Sequence, residues 1–284
     1  MILVTGGTGV IGSELLRLLS QAGIPARALV RNPQKAQELP GITWIAGDLS
    51  KPETLATAFE GTEKLFLLTS YYEGMVELQH NAIVAARAAG VTYVVKQSAF
   101  SASDHSNAPI GRWHYQTEKE LQESGLPWTI LRPHHFMQNL LLHAKQVINE
   151  GILSSPAGDG KIPYIDARDV AAVAFVTLTQ PGHFGKKYVL TGSEAFSYRQ
   201  ATEIIGAAIG KQLRFVDESP EQARARLARE GVPPAVIEST LAIAAYQRAG
   251  GKTITITNTV ADLTGRPPRT LAEFVREHAS VFRG

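Results

Sequence analysis

Cysteine is absent from the 284-residue sequence, which excludes disulfides, thiolate nucleophiles, iron–sulfur clusters and cysteine-type zinc sites. An excess of either charge is also missing. The 28 Lys+Arg against 26 Asp+Glu leave a formal +2, too little to make nucleic acid the expected partner. No window approaches the ~18–20 unbroken apolar residues of a membrane span. Residues 1–5 run straight into glycines, with neither a basic n-region nor an apolar h-region, so neither a secretory leader nor membrane association is expected. The expectation is a cytoplasmic protein. No acidic residue occurs between Glu14 and Glu38. What the chain does have is a 44% hydrophobic and 19% charged composition, enough to bury a core.

Apolar runs of strand length alternate with amphipathic stretches. Strands are expected over 2–5, 26–30, 42–46, 64–68, 91–95 and 128–131. Helices are expected from residue 10, over 52–59, over 76–89 with Gly90 as the stop, and over 112–123 before Gly125. This β-α-β-α order predicts an α/β fold, a doubly wound parallel sheet of Rossmann type. Unbroken apolar strands agree with burial on both faces. After residue 133 the pattern loosens into a helix over 136–148, a short strand over 162–165, a helix over 170–178 and a strand over 187–190. The remainder is mostly helical, and its charge-rich stretch 218–230 reads as a solvated helix face. The expected division is a doubly wound core over 1–133 and a smaller, mostly helical portion over 134–284 that forms a substrate cleft and returns some segments to the core.

Thr5-Gly6-Gly7-Thr8-Gly9-Val10-Ile11-Gly12 lies between the first strand and the first helix. It satisfies both G-x-G-x-x-G and G-x-x-G-x-x-G. Glycines there permit the tight turn, the approach of a pyrophosphate to backbone and the packing of helix on sheet. The helix N-terminus supplies N–H groups and partial positive charge. In that strand–turn–helix context the motif predicts dinucleotide binding by Gly6 through Gly12. An NAD site would place an acidic residue about 20 residues further on. The chain instead offers Arg31, Asn32 and Lys35, and a guanidinium there matches a 2′-phosphate, so the expected cofactor is NADP(H). Asp48 and Leu49, Thr69 and Ser70, Ser98, Ala99 and Phe100, and Pro133 follow successive strands, where doubly wound sheets bind ligands. Asp48 has two readings, adenine contact or helix cap, with Ser50 competing for the second.

The glycine loop, Val30-Arg-Asn-Pro-Gln-Lys-Ala36, Gly47-Asp-Leu49, Leu131-Arg-Pro133, Phe136-Met-Gln-Asn-Leu140, Pro156-Ala-Gly-Asp-Gly-Lys-Ile162 and Ala167-Arg-Asp-Val-Ala171 together resemble the NmrA-like group of atypical short-chain dehydrogenase/reductases. Within it they resemble the branch of bacterial NADPH:quinone oxidoreductases and triphenylmethane dye reductases. The resemblance implies an NADPH-dependent reductase acting on quinones or similar electron-poor conjugated compounds. It also admits members that bind NADP without turnover as redox sensors. An extended-type sugar-nucleotide epimerase or dehydratase is a third reading. It would need a diphosphate-binding C-terminal portion, for which Arg199, Arg214, Arg224 and Arg226 are the candidates.

Short-chain reductases typically use Tyr-x-x-x-Lys on a helix with an upstream Ser, and Ser98, Tyr115 and Lys119 match that pattern. Lys lowers the phenol pKa and makes it a usable acid. In the NmrA-like branch the stretch is instead His-x-x-x-Glu or His-x-x-x-Lys, and His114 and Glu118 match that register. Adjacent helical residues point about 100° apart, so the two registers cannot face one site equally. The other reading of Lys119 is an ion pair with a carboxylate at helical spacing. His114, Phe136, Asn139 and Tyr164 are the candidate substrate residues, with Phe136 and Met137 alternatively core. Adjacent His134 and His135 do not share an ion easily, and His80, His105, His143, His183 and His278 are scattered, so no metal is expected. A homodimer is the expected assembly.

Overall fold

The computed structural model describes residues 1–35, 38–70 and 74–284, with backbone only for Lys35, Lys252 and Thr253. In chain order the elements are β1 (Ile2–Val4), α1 (Val10–Gln21), β2 (Ala26–Val30), β3 (Ile42–Ala46), α2 (Leu55–Phe59), β4 (Lys64–Leu67), α3 (Met75–Ala88), β5 (Tyr93–Gln97), α4 (Pro109–Glu123), β6 (Trp128–Pro133), α5 (Ala144–Glu150), β7 (Ile152–Ser155), α6 (Ala167–Thr179), β8 (Lys186–Leu190), α7 (Tyr198–Ile209), β9 (Arg214–Asp217), α8 (Pro220–Arg229), α9 (Pro234–Ala249), α10 (Thr259–Thr264) and α11 (Leu271–Glu277). Short 3₁₀ turns sit between several of them, the longest over Met137–His143.

The chain divides into two compact units. The first comprises residues 1–104, 112–132 and 170–188. Its sheet has the order β3-β2-β1-β4-β5-β6-β8, and β1 to β6 pair parallel with their neighbours. The order reverses between β1 and β4, the switch point at which such sheets bind ligands. Side chains alternate along each strand. Leu3, Leu29, Leu65 and Val94 pack with Phe59 of α2, Ile83 of α3 and Leu121 of α4, all buried in one cluster. Leu16 of α1 and Ala28 of β2 both close on Gly7.

The second unit comprises residues 105–111, 133–169 and 189–284. Its core gathers Leu140, Val147, Ile205, Phe274, Phe282 and Tyr164. The two-stranded parallel sheet β7–β9 is registered with Ile152 opposite Arg214. α7, α8 and α11 each begin in a capping box, at Ser197, Ser219 and Thr270. In all three, the side chain three residues on bonds back to the cap's N–H.

The compact units change over at 132/133, and two exchanges cross that point. Most of α6 and the start of β8 belong to the first unit, and residues 105–111 belong to the second. The expected strand over 162–165 is not one: Ile162 and Ile165 make only isolated bridges, to Phe196 and Phe136. The expected helix over 136–148 is a 3₁₀ turn followed by α5.

Candidate functional site

The glycine loop forms a cradle whose residues have separable tasks. Thr5 Oγ1 donates to Leu68 C=O at 2.7 Å and accepts from Leu68 N–H at 2.9 Å, which fixes the end of β1 beside β4. Gly6 sits at φ +66°, open to glycine and strained for other residues. A Cβ on Gly12 would overlap the Gly6 backbone. Gly9 differs, because the nearest atom a Cβ there would meet is Gly6 O at 3.4 Å, an ordinary contact. No protein neighbour therefore requires a glycine at position 9; a close-approaching ligand would. Gly9 is also the N-cap of α1, whose first turn carries no acidic side chain. The first N–H groups of this 12-residue helix face an electrostatically unopposed end, suited to a pyrophosphate. Thr8, Gly9 and Val10 are exposed on this rim, while Ile11 is a core residue.

Beyond β2, Arg31 and Asn32 are exposed. Asn32 Oδ1 accepts from Gln34 N–H at 3.1 Å and shapes the turn that follows. Lys35 has its backbone in that turn, and its side chain lies outside the described residues. Asp48 ends the neighbouring β3 edge. Its carboxylate accepts from the N–H and Oγ of Ser50, at 3.0 and 2.8 Å. Those bonds, followed by the charges of Arg31 and Lys51, outweigh partial burial and hold its pKa below the ordinary value. Asp48 thus closes a local turn on Ser50 and keeps a negative carboxylate within the field of Arg31. Leu49 C=O accepts from Asn81 Nδ2 of α3 at 2.8 Å. Thr69 Oγ1 accepts from Gln79 Nε2 of the same helix at 2.9 Å. Asn81 and Gln79 tie both loops down. The sequence hid them among ordinary helical polar residues. Ser70 is exposed, Ala99 and Phe100 are half-buried, and Pro133 is buried where the second unit resumes.

A polar cluster lies between α4 and the ends of β5, β6 and β8. α4 buries His114, Thr117, Glu118 and Leu121, the i, i+3, i+4, i+7 face. Glu118 accepts from Ser98 Oγ at 2.5 Å and from Arg132 Nε and Nη2 at 2.8 and 2.5 Å. Lys187 Nζ stands 3.2 Å away. Burial pushes the Glu118 carboxyl up, but the hydrogen bonds of Arg132 and Ser98 and the charges of Arg132 and Lys187 prevail and hold it below its usual range. Lys96 of β5 is fully buried beside it, with Nζ 3.3 Å from Gln97 C=O and 3.4 Å from His114 Nδ1. Burial lowers its pKa to about 7, against the pull of Glu118 and with the push of Arg132. Burial first, then the charges of Lys96 and Arg132, also holds His114 well below its normal value.

The Tyr115–Lys119 register points elsewhere. Lys119 is 63% exposed, with Nζ 3.8 Å from Glu123 on the next turn. Tyr115 is half-buried, and Ser98 is fully buried with its hydroxyl donated to Glu118. Two members of the expected triad thus have other partners: Ser98 is bonded to Glu118, and Lys119 makes a solvated helical ion pair. Helix phase explains it, since the face shared by His114 and Glu118 turns inward.

In the second unit, Phe136 and Asn139 are half-buried on the turn after β6, whereas Met137 is core. Tyr164 is 1% exposed, set edge-on to His135 and Tyr198 with centroids 5.7 and 6.1 Å apart. Its ring packs with the core of the second unit. The Pro156–Ile162 stretch is structural as well. Gln247 Nε2 donates to Gly160 C=O at 2.8 Å and Arg248 Nε to Pro156 C=O at 2.9 Å, and a Cβ on Gly160 would overlap the end of α9. Asp166 is buried and accepts from Arg168 N–H at 2.8 Å, which caps α6. Of the arginines considered for a diphosphate, Arg199, Arg224 and Arg226 are paired with Asp159, Glu238 and Glu218. Arg214 is exposed.

A parallel sheet with a glycine cradle at its switch point, an acid-free helix start and an arginine beyond β2 defines a dinucleotide-binding protein of the Rossmann class. The chain belongs to the NmrA-like family, whose model matches residues 1–275. It is 41% identical to the NAD(P)H azoreductase of Xenophilus azovorans, with 99% of each chain covered. It superposes on the NADPH complex of the Escherichia coli NADPH-dependent quinone oxidoreductase QOR2 with a TM-score of 0.89, at 32% identity and covering 98% and 99% of the two chains. The NADP(H) complex of the Citrobacter sp. triphenylmethane reductase gives a TM-score of 0.84, at 27% identity and covering 98% and 100%. No helix among the described residues is long and apolar enough to cross a membrane.

Proposed function

We propose that this chain is an NADPH-dependent reductase that transfers hydride to quinones or similar electron-poor conjugated compounds. Bound NADPH supplies the hydride. The chain's residues bind and orient: the Gly6–Gly12 cradle and the start of α1 take the pyrophosphate, and Arg31 takes the 2′-phosphate. The observation that carries the acceptor class is the commitment of Ser98 to Glu118 and of Lys119 to Glu123. With those groups engaged, the favoured acceptors are ones that need only hydride at an electrophilic ring, with water delivering the proton. Orientation against the nicotinamide then supplies the catalysis. The cytoplasmic setting and the homodimer belong to the same proposal.

Anaerobic mixing with NADPH and a panel of quinones, dyes and aldehydes tests it through loss of the reduced-nicotinamide absorbance. Quinones and dyes are expected to consume NADPH and simple aldehydes are not. Tight NADPH binding with no turnover of any acceptor would favour the redox-sensor reading, which shares the same observation. Tyr115→Phe is expected to keep quinone turnover within a few-fold. General acid catalysis contributes about 10²–10⁴-fold, so a thousandfold loss would restore the triad.

Arg31→Ala is expected to reduce the preference for NADPH over NADH by roughly tenfold or more, the weight of a charge-assisted hydrogen bond of ~1.5–3 kcal/mol. Dissociation constants for both nucleotides check this, and an unchanged ratio would remove Arg31 from the 2′-phosphate site.

A further inference from the structure

We propose that Lys96 is a positioning residue for His114: its ammonium donates to Nδ1 of the imidazole, keeps the ring proton on Nε2, and so makes His114 a hydrogen-bond donor toward an acceptor atom of the substrate. The last clause rests on the reductase reading above. The first two stand on the geometry of one strand and one helix.

An ammonium has three donors and no acceptor. Lys96 is 0% exposed, and its Nζ has two acceptors within reach, Gln97 C=O at 3.3 Å and His114 Nδ1 at 3.4 Å. In the sheet its register neighbours are Leu67 of β4 and Ile130 of β6, which carry no charge. The charged and titratable groups that face it are His114 and Glu118 from α4 and Arg132 from β6, with Lys187 of β8 reaching the far oxygen of Glu118. Burial and two flanking cations keep the imidazole neutral, so exactly one of its nitrogens carries hydrogen. The bond made at one ring nitrogen selects the tautomer at the other. A donor at Nδ1 therefore assigns the proton to Nε2.

The arrangement is conditional on the charge of Lys96. Once the amine is neutral it accepts as well as donates, and the bias toward Nε2–H is lost. Because burial brings the Lys96 pKa down to about 7, the tautomer of His114 becomes a function of pH near neutrality. The group that moves is the lysine, while the imidazole stays neutral throughout. Glu118 keeps its negative charge over the same range, held by Arg132 and Lys187. No proton leaves the ring in this scheme, which concerns where hydrogen is presented.

The test is imidazole ¹⁵N–¹H long-range correlation on histidine-labelled protein loaded with NADP⁺, from pH 6 to 9, with His114 assigned by its loss in His114→Gln. Two results are expected: the Nε2–H pattern at pH 6, and a shift toward Nδ1–H with a midpoint near neutrality. In Lys96→Met the His114 pattern is expected to be the same at every pH. An Nδ1–H pattern in the wild type at pH 6 would overturn the proposal without need of any variant. So would a pH response that survives in Lys96→Met. Neither readout depends on turnover, so quinone reduction measured on the same samples judges the reductase reading separately.

Discussion

Glu118→Gln is expected to destabilise the protein by roughly 3–5 kcal/mol, the usual cost of removing one partner from a buried ion pair. The carboxylate is the shared counter-charge of Arg132 and Lys187 and the nearest negative group to Lys96. Glutamine keeps the volume and some hydrogen bonds but leaves the cations unbalanced. Arg132 and Lys187 retain 21% and 34% side-chain exposure and recover some hydration, whereas Lys96 recovers none. The folded-state pKa of Glu118 is depressed, so its contribution is fully present above the unfolded value of about 4.3 and is lost as pH falls through the folded one. The effect is therefore complete at pH 7. Urea denaturation with an unchanged m value is the measurement. A loss below about 1 kcal/mol would mean that the cations find other partners.

Lys96→Met is expected to stabilise the protein, and by an amount that depends on pH. The folded pKa of Lys96 is about 7 against an ordinary 10.5. Between those values the unfolded state binds more protons than the folded one, so wild-type stability rises with pH. Below pH 7 both states are protonated and the wild type carries the full penalty of an enclosed ammonium. Above pH 10.5 both are neutral and the penalty is gone. At ~1.4 kcal/mol per unit, the full span corresponds to an upper figure of about 5 kcal/mol. The stability gap between variant and wild type should be widest at pH 6 and shrink progressively up to pH 10. A gap that does not vary with pH would show that the amine is solvated in solution. A residue kept at such a disadvantage is what a functional role, rather than packing, would retain.

How much of this was legible in the sequence depended on the physical signal at each place. β2 and β3 fall at their expected limits, because mostly apolar runs of five residues bounded by Pro25 and Asn32 and by Gly41 and Gly47 read as strands. β5 runs over Tyr93–Gln97 rather than the apolar 91–95, because Lys96 and Gln97 are buried polar residues that the pattern counts as loop. β7 and β9 gave too little signal: each is four residues long, and their Ser154, Ser155, Arg214 and Asp217 break any alternation. The glycine loop was readable, since the positive φ of Gly6 and the close backbone approach at Gly12 admit only glycine. The α4 cluster was not. The spacing of positions 114, 117, 118 and 121 marks an inward face, but a buried Glu runs against the rule that charges stay exposed unless paired. Its partners Arg132 and Lys187 are 14 and 69 residues away in the chain, a relation only the sheet order reveals.

The bare start of α1 has a consequence for the protein's lifetime in a cell. A helix that begins on Gly9, without a side chain to satisfy its first amides, lacks part of its own scaffolding until an anion arrives. Nucleotide occupancy then adds its binding free energy to the native state alone. The abundance of the folded protein would thus track the supply of the dinucleotide, with starved molecules the first to be cleared by proteases.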